Sequence, residues 1–521
     1  MSRRGLLLIL LCCISALAKT QYIEQYPISR SNGDQMTHFK NWPEAVRQFS
    51  LLLEEDPEDL ELKYKLGKSY VYAGINKKKS IAYLMDLMAF EDKENDFYET
   101  LAKAYFVNYE FDKAKALYKA MVDSVLSETK RNEYRKLAMQ CDISKKMMGI
   151  PVKVSFENLG ENVNSKAPDF FPIVTPDESA VAFSTKRDGV VGNLYSYDGY
   201  KTSDIFVTKH VRNKYRKARS VGNPNTYGNE YTAGRSNSGS FILYTVNSED
   251  DFNHIFVSEK GRRSYMPPKE FDSEDVNGNK DELGSTLSDD GRVMYFASNR
   301  EGGKGGFDIY YLQRLPNGLW NEIRNLGEPI NTSGDEMYPC FGKGENVLYF
   351  ASNGHKGMGG LDLFKSDAGD ISNMWEIPTN LGYPINTPND DKNISFAENE
   401  RYAYMSKRFD DSFGDLDIYR LTFLAEKDSY TLVSGRVLNQ DSVGLDVRAK
   451  IEVFYEETGN LVGSYVMNKM NGQYSAILAP GRYSIEIKDV EGYKDYNMLL
   501  MVRGKNDQAR KMIMDLALDS Q

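Results

Sequence analysis

Between about residues 151 and 424 the chain restates one segment several times, and no other feature limits its possible folds as much. Ser288-Asp-Asp-Gly291 leads into Val293-Met-Tyr-Phe-Ala-Ser-Asn299, a glycine-rich turn, and Gly306-Phe-Asp308-Ile-Tyr310. The order returns as Val347-Leu-Tyr-Phe-Ala-Ser-Asn353, glycines, and Gly360-Leu-Asp362-Leu-Phe364, a shift of 54 residues (362 − 308). Both copies end alike, with Trp320 before Asn325-Leu-Gly-Glu-Pro-Ile-Asn-Thr332 and Trp375 before Asn380-Leu-Gly-Tyr-Pro-Ile-Asn-Thr387. Three weaker copies pair Ala180–Ser184 with Asp204-Ile-Phe206, Phe241–Tyr244 with His254-Ile-Phe256, and Arg401–Met405 with Asp417-Ile-Tyr419, which makes five units.

Each unit of roughly 50 residues reads as three or four short strands divided by Gly, Asn and Asp. Such a unit cannot bury both its faces alone, so the five must pack radially, as the blades of a β-propeller over 151–424. The fifth unit stops near Leu424 without a last strand. The segment 152–157 precedes Asn158-Leu-Gly-Glu-Asn-Val-Asn-Ser165, a copy of the common ending. The expectation is that strand 152–157 closes the ring and covers the open edge. On these motifs the region resembles TolB-like and WD-repeat-like propellers, a resemblance that implies a fold and little about activity.

Residues 37–148 carry a helical pattern instead. Ala45, Phe49, Leu52 and Pro57 fit one helix of a hairpin; Leu66, Gly67 and Tyr70 fit another; Leu101, Ala102 and Tyr105 repeat the latter after 35 residues (101 − 66). Ala114 and Tyr118 restate Ala45 and Phe49 after 69 (114 − 45), about two periods. The spacing resembles tetratricopeptide (TPR) repeats, which implies about three stacked hairpins, the middle one degenerate, and a final helix through Tyr134–Met148. Residues 428–521 read as a second all-β module, with Val433-Ser-Gly-Arg-Val437, Asn471-Gly-Gln-Tyr474 and Ala479-Pro-Gly-Arg-Tyr483. These resemble carboxypeptidase-regulatory-like β-sandwiches, small domains without catalytic residues. The fold class expected is thus multidomain, α followed by all-β.

Residues 1–18 read as a signal peptide: Arg3 and Arg4, an apolar run from Gly5 to Ser15, and Ala16-Leu-Ala18 as the cleavage site, with a mature start near Lys19. The run is shorter than the roughly 20 residues that span a bilayer, so the mature chain is read as lacking a transmembrane segment. Lipidation at Cys12 or Cys13 is the second reading, because Leu10 and Leu11 occupy lipobox positions that favour small residues. Cys141 and Cys340 remain as the mature thiols, in different modules, and no disulfide framework is expected. Removing Arg3 and Arg4 takes the net charge from −10 to −12 (−10 − 2), which argues against nucleic acid as a partner; Lys77–Lys79 reads as a solvated helix end.

Chemistry-bearing residues are few. Of the four histidines, His38 falls near the first helices, His210 and His355 in loops, and His254 where the other units have Asp. None has metal-ligand spacing, and no nucleophile elbow or phosphate loop occurs. Asp204, Asp308, Asp362 and Asp417 share one slot of the repeat, which argues for a structural task such as accepting turn N–H bonds. Gly302–Gly306 and Gly357–Gly360 precede strands and lack a Lys-Ser/Thr ending, so they read as blade turns. Ser273–Gly278 lacks the leading Asp and the bidentate Glu of a calcium loop, since Gly284 stands at the twelfth position. No catalytic, cofactor-binding or metal residue is assigned.

The order of leader, TPR-like helices, propeller and regulatory-like sandwich resembles PorE-like envelope proteins of Bacteroidetes, associated with type IX secretion. That family normally adds an OmpA-like domain that grips peptidoglycan; no such module precedes Gln521, so any peptidoglycan association is expected to be indirect. The resemblance implies an exported, periplasmic scaffold, associated with the outer membrane and binding envelope proteins through its TPR and propeller faces. The alternatives are a glycan- or peptide-binding propeller sensor and, behind it, a propeller-associated hydrolase.

Overall fold

The computed structural model describes residues 27–520 other than 75–76, 90–94, 197, 213, 224, 248–251, 263–264, 274, 370–373, 399, 410, 425–430, 440–448, 457–458, 460, 469–470, 479–480 and 503–510. The leader 1–18, the start at Lys19, Cys12 and Cys13 lie outside the described residues, as do Glu274 of the calcium-like run and Ala479 and Pro480 of the Ala479–Tyr483 motif. The chain forms two compact units. The first comprises the residues up to Val152, Leu159–Lys407 and Phe413–Arg420; the second comprises Lys153–Asn158, Arg408–Ser412 and Leu421–Gln521.

The first unit opens with seven described α-helices: α1 Arg30–His38, α2 Trp42–Glu55, α3 Leu60–Ala73, α4 Lys77–Asp86, α5 Asn95–Val107, α6 Phe111–Ser124 and α7 Glu128–Gly149. Four of their starts are set by side-chain caps, since Ser29, Asn41, Asp59 and Ser127 accept the N–H bonds of Asn32, Glu44, Leu62 and Lys130. Gly74, at φ 68°, ends α3 in the left-handed conformation open to glycine. Short connections make successive helices antiparallel neighbours, and the aligned small residues sit at their contacts. Ala45, Gly67, Ala102 and Ala114 are all buried, and a Cβ on Gly67 would come within 3.1 Å of Leu84 Cγ.

Five antiparallel sheets follow. Blade one has Asp169–Val174, Ala180–Thr185, Asp204–Val211 and Arg219–Ser220, with Lys214–Tyr215 as an added fifth strand. Blade two has Glu230–Arg235, Phe241–Asn247, Asn253–Glu259 and Lys269–Glu270. Blade three has Glu282–Leu287, Val293–Ser298, Asp308–Gln313 and Arg324–Asn325, and blade four has Glu336–Phe341, Val347–Ser352, Asp362–Asp367 and Thr379–Asn380. Blade five has Ser395–Phe396, Tyr402–Lys407 and Asp417–Phe423, and its sheet order sets Val154–Asn158 outermost. His210, expected in a loop, lies inside the third strand of blade one and stacks on Tyr215 at 4.4 Å; the added strand continues the ladder past the repeat's usual end.

The ring closes through bonds between neighbouring blades. Thr232 N–H donates to Ser184 Oγ at 2.9 Å, Thr286 Oγ1 to the Arg235 carbonyl at 2.9 Å, and Phe341 N–H to Thr286 Oγ1 at 3.3 Å. Tyr349 stacks on Phe396 at 4.4 Å, and Val174 N–H donates to Ser395 Oγ at 3.1 Å. Blade five is joined to blade one again where Arg420 grips Glu178 at 2.8 and 3.1 Å and Tyr404 donates to the same carboxylate. The region is a five-bladed β-propeller.

The second unit carries two sheets around one apolar core. One holds Gln473–Leu478, Thr431–Leu438, Lys511–Ile513 and Leu516–Ala517; the other runs Leu461–Val466, Lys450–Tyr455, Gly481–Ile487, Tyr496–Val502. Val433, Val437, Ala476 and Leu478 of the first meet Ile451, Val453, Ile485 and Val502 of the second. Gly435 is needed where it stands, because a Cβ there would run into the Met514 carbonyl.

Candidate functional site

The recurring aspartates are spent on turns. Val191 N–H donates to Asp204 at 2.8 Å, Lys304 and Gly305 N–H to Asp308 at 2.5 and 3.0 Å, Met358 and Gly359 N–H to Asp362, and Phe413 N–H to Asp417 at 2.9 Å. The glycine runs are the same turns seen from the backbone, since a side chain at Gly303 or Gly357 would collide with Asp308 or Asp362. Burial pushes the Asp362 carboxyl up to about 7 against these donors.

The common ending holds a second device. Its asparagine accepts the N–H of the residue after the aspartate slot and donates to that residue's carbonyl. Asn331 clamps Ile309 at 2.9 and 2.9 Å, and Asn386 clamps Leu363 at 2.8 and 2.9 Å. Asn225 does the same to Ile205, Asn277 to Ile255, and Asn164 to Ile418. Asn164 comes from the copy at 158–165 and acts on blade five, so the first copy of the ending serves the last blade.

A third slot escapes a reading of motifs. Five residues after each clamp asparagine (169 − 164, 230 − 225, 282 − 277, 336 − 331, 391 − 386) stands a buried carboxylate: Asp169, Glu230, Glu282, Glu336 or Asp391. Each also lies 16 residues before the last inward residue of the next strand (185 − 169, 407 − 391), and this constant interval is the signal that could have found them. Their compensation differs. Arg187 pairs with Asp169, Arg300 with Glu282 at 3.2 Å, and Lys407 with Asp391, while Glu336 accepts from Thr332 Oγ1 at 2.7 Å and Ser352 Oγ at 2.6 Å. Glu230 has no cation among the described residues and accepts from Thr226 Oγ1. Burial lifts Glu230 to about 7, and Glu282 to about 8 in spite of Arg300.

The centre of the ring is filled with aromatic side chains. Phe171 and Tyr338, both at positive φ on inner strands, approach at 4.7 Å, and Tyr231 lies 6.4 Å from Phe171. Gly284, at φ 70°, makes room for Tyr338, whose Cα would be 2.5 Å from an added Cβ. Burial holds the Tyr231 phenol up to about 12.

The helices sit against the face formed by the turns between second and third strands and those entering each next blade. Ser144 Oγ of α7 donates to the Met358 carbonyl at 2.9 Å, Lys77 Nζ of α4 to Asn389 Oδ1 at 3.0 Å, and Val152 N–H to the Tyr383 carbonyl at 2.7 Å. Across the ring, Asn41, Pro43 and Glu44 of α2 border a cleft of about 60 Å³ with Asp198, Gly199 and Tyr200 of blade one, room for a few waters. Trp42 stacks on Tyr72 at 4.7 Å, with Lys103 Nζ 4.3 Å from the Tyr72 ring.

The histidines do not converge. His38 ends α1, His254 stands in the aspartate slot of blade two with Nδ1 3.3 Å from Glu270, and His355 Nε2 lies 2.8 Å from the Ile330 carbonyl in a turn of blade four. Among the described residues, no group of three or more His, Cys, Asp or Glu is placed to hold a metal ion, and no helix is long and apolar enough to cross a membrane.

No family model and no curated protein matches the chain. Among solved structures, the chain is similar to a putative TolB from Agrobacterium tumefaciens, at 13% identity and TM-score 0.25, over 52% of this chain and 98% of that one. It is similar to an endo-arabinase from Bacteroides thetaiotaomicron, at 10% identity and TM-score 0.33, over 51% and 98%. A hydroxyquinol 1,2-dioxygenase from Pseudomonas putida is matched at 13% identity and TM-score 0.15, over 18% of this chain and 57% of its own length. Likenesses this distant carry no functional argument.

Proposed function

We propose that this chain is a non-enzymatic scaffold of the cell envelope, exported to the periplasm, whose helical array and propeller hold protein partners in type IX secretion or a related outer-membrane assembly. The observation that carries the reading is the fate of the polar groups around the ring. The repeated aspartates are occupied by turn N–H groups, the inner carboxylates are buried, and the axis is filled by Phe171, Tyr231 and Tyr338. A catalytic centre needs groups in reach of a substrate, and these are not. The seven helices, read as TPR-like hairpins, and the two-sheet module, read as regulatory-like, supply docking surfaces of the kind such repeats present.

The test is cross-linking in intact cells, followed by identification of what is attached, with the full chain and with a chain lacking residues 27–150. Recovery of the same envelope components with the full chain only is the expected result. Recovery of none from the native membrane fraction, or turnover of a glycan or peptide abolished by Glu282→Gln, overturns the reading.

A further inference from the structure

At every junction between blades, the third-strand residue of one blade lies beside the inner carboxylate of the next, so two buried acids are commonly brought together. Three junctions contain a cation: Arg187 where Asp417 meets Asp169, Arg300 where His254 meets Glu282, and Lys407 where Asp362 meets Asp391. The junction of Asp308 with Glu336 answers with hydroxyl and backbone donors instead. Among the described residues the junction of blades one and two has no cation, and its donors, Thr226 Oγ1 to Glu230 and the Val191 N–H to Asp204, each reach one carboxylate oxygen only. In sequence, Val246 stands where the other blades have Thr185, Ser298, Ser352 or Lys407, and Ser248 where blades one and three have Arg187 and Arg300.

Asp204 and Glu230 are nevertheless fully buried. The Glu230 N–H donates to the Ser203 carbonyl at 2.9 Å, which lays Glu230 alongside the Thr202–Asp204 segment. Among the described residues, neither carboxylate has an ion-pair partner, and three buried oxygens at this junction have no hydrogen bond: Asp204 Oδ1, Glu230 Oε2 and Thr202 Oγ1. Thr202 is only 4% exposed, so solvent does not satisfy its hydroxyl. Two like charges taken out of water with no counter-charge oppose each other and their own burial, and buried polar atoms left without a partner are rare in native folds.

We propose that the junction of blades one and two is a site for one hard divalent cation of the calcium class, bound by Asp204 Oδ1, Glu230 Oε2 and Thr202 Oγ1. The ligand set is all oxygen, which suits calcium or magnesium over the softer metals. Magnesium keeps most of its waters and demands a strict octahedron, whereas calcium accepts hydroxyl, carbonyl and carboxylate oxygens in irregular number, so a buried site favours calcium. The cation does for this junction what Arg187, Arg300 and Lys407 do for three others, and its task is to lock blade one to blade two.

The full mature chain, stripped with chelator at pH 7.5, is titrated with calcium chloride and with magnesium chloride by calorimetry, with unfolding temperature as a second readout. The expected result is one calcium per chain, a rise of several degrees in unfolding temperature, and weaker or no response to magnesium. Asp204→Asn and Glu230→Gln should each lower calcium affinity at least tenfold, while Glu328→Gln, an exposed acid on blade three, leaves it unchanged. Both amide variants keep the shape and remove a charge, and circular dichroism verifies that they fold. Absence of calcium binding in the folded wild type overturns the proposal and leaves a proton shared between the two acids as the occupant. Equal binding by the wild type and both variants overturns it in favour of surface carboxylates.

Discussion

The junction of blades four and five and that of blades one and two have the same backbone and opposite electrostatics. In the first, Asp391 and Lys407 are both almost completely buried and in contact, and Lys407 also donates to the Ile385 carbonyl. In the second, Asp204 and Glu230 are buried without any cation from the described residues. Yet Asn386 grips Leu363 and Asn225 grips Ile205 with two bonds each, within 0.1 Å of the same lengths. The repeat therefore fixes its backbone clamp in every blade and leaves charge compensation to be solved blade by blade.

If that division holds, the largest effect comes from breaking a compensated junction. Lys407→Met leaves Asp391 buried and unpaired and should cost about 4 kcal/mol, as removal of one partner of a buried pair does. The double change Lys407→Met with Asp391→Leu should recover much of that loss in urea unfolding. A Lys407→Met cost below about 1 kcal/mol would remove the contrast between the two junctions. The clamp gives the next largest effect. Asn331→Ala strands the Ile309 N–H and carbonyl in the interior and should cost about 3 kcal/mol, whereas Asn225, which is half-buried, should cost about 1 kcal/mol because water reaches the vacated groups. Equal losses at the two positions would mean that burial does not set the strength of the clamp.

The propeller was legible because its repeats mark strands and turns at fixed intervals, and because the ending at 158–165 reproduces the one at 325–332. Ala45, Gly67, Ala102 and Ala114 likewise announced close helix packing through size alone. What escaped was chemistry at positions whose residue type varies. The inner slot holds Asp169, Glu230, Glu282, Glu336 or Asp391, and only its spacing, five residues after the clamp asparagine and 16 before the last inward residue of the next strand, is constant. His210 was misplaced because the added strand Lys214–Tyr215 belongs to blade one alone. The motifs of the last module do not mark the strand Tyr496–Val502, since Asn497-Met-Leu-Leu-Met-Val502 is nearly continuously apolar, and the alternation that puts Leu500 and Val502 inside but Leu499 and Met501 outside appears only on folding.

A pH effect confined to one carboxyl is the most selective for the uncompensated junction. Glu230 is held up to about 7 by burial, with Asp204 adding repulsion and Thr226 donating a hydrogen bond that opposes both. The unfolded chain releases this proton near pH 4.5, so between that pH and about 7 the native state alone keeps it. Its contribution is fully present below about pH 4.5 and is lost as pH rises through about 7. In chelator, the wild type should therefore lose about 2 kcal/mol from this group between pH 5 and 6.5, at about 1.4 kcal/mol per unit, and Glu230→Gln should lack that part of the slope. Saturating calcium should flatten the wild-type slope between about pH 5 and 7, because the metal takes the place of the proton. A Glu230→Gln profile parallel to the wild type in chelator would show that the acid is already compensated, and the two junctions would then differ in sequence without differing in electrostatics.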